Sequence, residues 1–107
     1  MSQMTHEIPH GLTLEQATRA AHLALDEYLG KYAARGLEGR WSNKTRAELS
    51  FASAGVSVQA VVDVLPNVLR VEANIPLMLR PFKAKAIAAI EREARKWIDK
   101  VKAEGTA

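Results

Sequence analysis

Apolar residues recur along this chain in two rhythms, one of three to four residues and one of two. The first runs through Leu14, Ala17, Ala21, Ala24, Leu25, Tyr28 and Tyr32, a spacing that gathers them on one face of a helix. Thr18, Arg19, His22, Asp26 and Lys31 take the opposite side. Thr13 followed three residues later by Gln16 predicts a capping box at the helix start. Gly36 and Gly39 predict its end near Ala34. Ahead of the helix, Met4–Pro9 reads as a short edge strand, because Pro9 has no N–H to continue a ladder.

The second rhythm occupies residues 40–75. Leu49 and Phe51 alternate with Glu48 and Ser50 before a Ser-Ala-Gly turn at 53–55, which is strand patterning. Val56, Val58, Ala60, Val62 and Val64 then alternate with Ser57, Gln59, Val61, Asp63 and Leu65, and Pro66-Asn67 supplies a turn. Leu69, Val71, Ala73 and Ile75 form the apolar face of the next strand, and loops this short require antiparallel pairing. Pro81 sits where the first turn of a long helix tolerates it. The inward face of that helix is predicted to be Phe82, Ala86, Ile90, Ala94, Trp97 and Val101, assisted by Ile87 and Ile98. On the outward face, Glu91 with Arg95 and Arg95 with Asp99 are spaced for i,i+4 ion pairs. The order β-α-β-β-β-α predicts an α+β two-layer sandwich, an antiparallel sheet with two amphipathic helices on one face. One domain is expected over residues 1–107, frayed at 1–3 and 104–107.

Composition changes this picture little. The chain has 107 residues, 48% of them hydrophobic and 25% charged, an ordinary globular balance. Without cysteine a disulfide framework, a thiolate metal site and a cysteine nucleophile are excluded, which suits a reducing cytoplasm. The first eleven residues do not read as a secretory signal, and no apolar run reaches the roughly 20 residues needed to cross a bilayer. The net charge of +3 is a mild excess that permits an anionic partner without requiring one.

Candidate chemistry is sparse. His6 and His10 have a His-x-x-x-His spacing, but in an extended chain residues four apart are roughly 13 Å distant, so surface histidines are expected rather than metal ligands. His22 is placed to pair with Asp26 on a helix. Glu48, Asp63 and Glu72 lie on outward strand positions beside Arg46 or Arg70, where cross-strand pairing is expected. No nucleophile elbow or phosphate-cradling glycine loop is present, so no catalytic, cofactor or metal residue is assigned. The basic residues of the last helix are interspersed with Glu91, Glu93 and Asp99, and Phe82 and Trp97 point inward, so no specific nucleic acid partner is expected. Apolar residues without evident cover are Val61, Leu65 and Val68 on the open sheet face, with Leu77, Met78 and Leu79 in the turn before the last helix. Such residues mark an interaction surface, toward a second copy of the chain or another partner.

The strand ending at His10, the capped helix, Trp41, Gly55-Val56 and above all Pro76-Leu77-Met78-Leu79-Arg80-Pro81-Phe82-Lys83 resemble the polyhydroxyalkanoic acid system family, small proteins encoded near genes for storage-polyester granules. Val58, Gln59 and Ala60 stand where that pattern has a second glycine. The resemblance covers nearly the whole chain. It implies a link to polyhydroxyalkanoate synthesis or granule organisation; taken with the missing cysteine and the uncovered apolar residues, the expectation is a cytoplasmic, non-enzymatic accessory or regulatory protein of polyhydroxyalkanoate metabolism, bound to the granule surface, to a granule protein or to itself as a homodimer. It brings no catalytic residues and no cofactor. An alternative is a domain binding a small acyl or hydroxyacyl ligand beneath the last helix, for which a pocket of at least about 300 Å³ is expected. A third reading is RNA binding through the basic last helix, which predicts salt-dependent affinity.

Overall fold

In the computed structural model, which describes residues 2–53 and 55–105, strand β1 (Ser2–Pro9) leads into helix α1 (Leu14–Tyr32). The capping box forms: Thr13 Oγ1 accepts from the Gln16 amide at 3.1 Å, and Gln16 Oε1 accepts from the Thr13 amide at 3.1 Å. The helix tightens into a 3₁₀ turn at Ala33–Arg35, and Gly36 reverses the chain with φ 98°. Four strands follow, β2 (Leu37–Asn43), β3 (Arg46–Ser53), β4 (Val56–Val64) and β5 (Val68–Ile75). A 3₁₀ segment at Leu77–Phe82 then precedes helix α2 (Lys83–Gly105).

All five strands form one antiparallel sheet in the order β1-β5-β4-β3-β2. The α+β architecture is the one the two hydrophobic rhythms predict, and the meander opens with a further strand, β2, that pairs Leu37–Asn43 with β3. The β1 ladder starts at Ser2, which pairs with Ile75. Pro9 closes it at the edge opposite Val68, where its missing N–H leaves no ladder bond unmade. Of the turn at 53–55, Gly55 adopts φ 78° and Ala54 lies outside the described residues. Met1 and 106–107, within the tails expected to fray, also lie outside them.

Alternation puts Met4, Ile8, Ala47, Val62, Val64, Leu69, Val71, Ala73 and Ile75 on the helix-facing side, all buried. Against them pack Ala17, Ala20, Ala21 and Leu25 from α1, and Ala94, Ile98 and Val101 from α2. The helices run antiparallel, tied at one end by Arg19 to Glu104 (2.9 Å) and midway by Lys96 to Glu27 (2.7 Å). Two members of the predicted inward face of α2 depart from it: Phe82 is 58% exposed and Ala86 is also exposed. Phe82 belongs to the 3₁₀ segment, whose three-residue turn breaks the 3.6 period that would have carried it inward. Leu14, in the first turn of α1, is likewise 44% exposed.

Candidate functional site

The fold uses its histidines in ways their spacing does not announce. His10 is a core residue and not a surface one, 2% exposed. Its Nδ1 accepts from the Leu12 amide at 2.9 Å, which leaves the proton on Nε2 to donate to the Leu65 carbonyl at 2.8 Å. It therefore ties the exit of β1 to the β4–β5 turn. His6 faces Glu91 of α2 at 3.6 Å, an acid expected to pair with Arg95. His22 does not pair with Asp26. It stacks on Trp41, centroids 3.6 Å apart, and its Nε2 bonds the Lys44 carbonyl at 3.0 Å. The planar match with indole and a fixed backbone acceptor outcompete a solvated helix pair. Among the described residues, no three His, Asp or Glu side chains gather as a metal site would require.

The open sheet face is mostly charged. Arg46 meets Asp63 at 3.6 Å, Arg40 meets Glu48 at 4.0 Å and Arg70 meets Glu7 at 3.0 Å, exposed pairs contributing about 0–1 kcal/mol each. Val61 sits among them, half-buried, between its cross-strand partners Glu48 and Glu72. It forms part of the floor of a shallow polar depression with Arg40 and Gln59. Leu65 and Val68 are also half-buried and close the β4–β5 turn through a 2.9 Å backbone bond. The 77–79 segment lies beyond the other end of β5, whose eight residues span about 23 Å. The six residues singled out from the sequence thus occupy three separate places. Met78 is 69% exposed, Leu79 packs on the core beside Ile75, and the Leu77 side chain lies outside the described residues.

Sequence patterning did not reveal what lies beneath that segment. Between α1, α2 and the sheet is a cavity of about 180 Å³. Apart from Ser50, Tyr28 and Glu93, the residues around it are aliphatic or phenylalanine. Ala21 and Ala24 of α1, Ala60 of β4 and Ala94 of α2 border it, and four short side chains from three elements leave the space unfilled. Tyr28, Leu37, Phe51 and Val58 also border an outer groove of about 420 Å³ that runs beneath Leu79 and Phe82. The inner cavity alone falls short of the size expected for a ligand pocket; with the outer groove the space exceeds it.

Few polar groups attend this space. Glu93 borders the cavity, and its Oε1 accepts from Trp97 Nε1 at 3.3 Å. Burial raises the Tyr28 hydroxyl above the ordinary tyrosine pKa, and neighbouring Tyr32 and Glu93 add to the shift, so this hydroxyl remains a hydrogen-bond donor at neutral pH. Around the outer groove the charged residues are Arg35 and Lys83, both cationic.

A family model described as "putative polyhydroxyalkanoic acid system protein" matches residues 5–98. The chain belongs to that family. The match takes in the cavity, the groove and the Leu77–Phe82 segment. No curated protein matches. Among solved structures, the chain is similar to that titled "Crystal structure of Ara h 8.0201", with 8% identity, TM-score 0.41, and 92% of this chain and 98% of that one covered. It is also similar to the crystal structure of TTHA0849 from Thermus thermophilus, with 12% identity, TM-score 0.36 and 98% of both chains covered.

Proposed function

We propose that this member of the polyhydroxyalkanoic acid system family is a non-enzymatic accessory protein of polyhydroxyalkanoate metabolism that works by binding, with Leu77–Phe82 meeting the granule surface. The observation that carries the reading is the exposure of two large apolar side chains, Met78 (69%) and Phe82 (58%), on one short segment. Fully burying such a side chain contributes about 1.5–3 kcal/mol. Arg80 and Lys85 beside them are exposed and favour a surface carrying anionic groups. Granule association at this segment would leave the charged sheet face in water, where its ion pairs lose no solvation.

The test is co-sedimentation of the purified protein with polyhydroxyalkanoate granules stripped of other proteins. Met78→Glu and Phe82→Glu are expected to abolish sedimentation while circular dichroism and melting stay near wild type. Val61→Glu, on the charged face, is expected to retain it. Failure of the wild type to bind bare granules, or loss only with Val61→Glu, would overturn this reading and move the surface to the open sheet face or to a protein partner.

A further inference from the structure

We propose that the cavity and outer groove form a binding site for an amphipathic anion with an unbranched acyl tail, a medium-chain carboxylate, taken up tail first. This inference does not depend on granule docking, since it concerns the space under the 3₁₀ segment and not its outer side. Three observations carry it. The inner cavity is bordered almost wholly by apolar groups and kept open by Ala24 and Ala60 among others; an apolar void of this kind, near 150 Å³, holds a six-carbon ring. The cavity and the outer groove adjoin, sharing Tyr28, Leu37, Phe51 and Val58 as lining residues, so a tail in one lies next to a head in the other. Charge then sets the direction. Arg35 and Lys83, the charged residues lining the outer groove, attract an anionic head and leave the tail to the apolar cavity.

The same features set the length preference. Each methylene entering an apolar space strengthens binding about fourfold, so affinity should climb from butanoate through hexanoate to octanoate. The gain per carbon should diminish once the tail has filled the inner cavity, at about six carbons. Beyond that point the chain lies in the half-open groove and gains less.

The test is a titration of the full chain with butanoate, hexanoate, octanoate and decanoate, and with neutral octanol, followed by NMR shifts of the Ala and Val methyl groups. Octanoate is expected to shift methyls of Ala24, Ala60 and Val58 and to bind about tenfold more tightly than octanol. Ala24→Leu, which fills the cavity, should weaken octanoate binding at least about tenfold. Arg35→Gln combined with Lys83→Gln should bring octanoate down to the affinity of octanol, and because neither residue is in the core this variant tests the idea even if the first fails to fold. Octanoate that leaves the cavity methyls unmoved at millimolar concentration, or that binds Ala24→Leu as well as wild type, would overturn the proposal. Granule sedimentation by Ala24→Leu should be unchanged, which separates this site from the docking segment.

Discussion

His10 fastens the exit of β1 to the β4–β5 turn with one buried ring. Its two ring nitrogens satisfy a buried carbonyl at Leu65 and an amide at Leu12 (2.8 and 2.9 Å), while its own amide bonds the Asn67 carbonyl at 3.2 Å. His10→Ala removes the ring and leaves two backbone groups without partners, each worth about 1–3 kcal/mol when buried. We therefore expect a loss of roughly 3 kcal/mol in urea unfolding, read as a lower midpoint with an unchanged m-value. A loss under about 0.5 kcal/mol would mean the carbonyl and amide find other partners. Glu27 gives a residue-scale prediction in pH. Its pKa is held below the ordinary value, first by the hydrogen bond from Lys96, with the Lys96 charge and the bond from Trp97 Nε1 assisting and burial opposing. A depressed carboxyl pKa adds stability above the unfolded value near 4.3, and that stability is lost as pH falls through the folded value. Wild-type melting temperature should thus fall more steeply than that of Glu27→Gln between about pH 5 and pH 3; parallel curves would remove Glu27 from the account.

Between α1 and β2 the chain turns on Gly36, and the requirement there is double. Its φ of 98° lies where side chains are strained, and a Cβ would stand 2.6 Å from the Ala52 carbonyl oxygen, a backbone atom of β3 that cannot swing aside. Gly55 has a similar φ, 78°, but open space around it. Gly55→Ala should therefore cost only backbone strain, about 1 kcal/mol, and Gly36→Ala about 2–4 kcal/mol. Equal costs in matched urea titrations would show that the contact with β3 relaxes freely. The neighbouring strand explains what sequence patterning can and cannot reach. β4 and β5 are legible because apolar side chains, Val58, Ala60, Val62 and Val64 and then Leu69, Val71, Ala73 and Ile75, occupy their inward positions without interruption. In β2 the inward row is Leu37, Gly39, Trp41, and the ends of the Leu49 side chain of β3 and the Leu29 side chain of α1 lie over its middle member, 2.4 Å and 3.1 Å from where a Cβ would stand. A strand whose central inward position is a glycine shows no period of two. The candidate site escapes for a related reason: an alanine on an amphipathic face reads as core whether the space before it is filled or empty, and only the meeting of three elements decides which.

For the whole molecule, that empty space sets stability against use. Ala21, Ala24, Ala60 and Ala94 could each be larger without disturbing the hydrophobic pattern, and the space they leave forgoes packing contacts. If the space exists to be occupied, filling it should stabilise the free protein and abolish its response to ligand. Ala24 and Ala60 are the positions to change, since both are only half-buried and lie on opposite walls, one on α1 and one on β4. Ala24→Leu and Ala60→Val are expected to raise the unfolding free energy by about 0.5–2 kcal/mol each. Octanoate should raise the melting temperature of wild type and leave that of the filled variants where it was. If the variants were instead destabilised by about 1–3 kcal/mol, the cost expected of overpacking, the walls would already be in contact in solution and the cavity would not persist there.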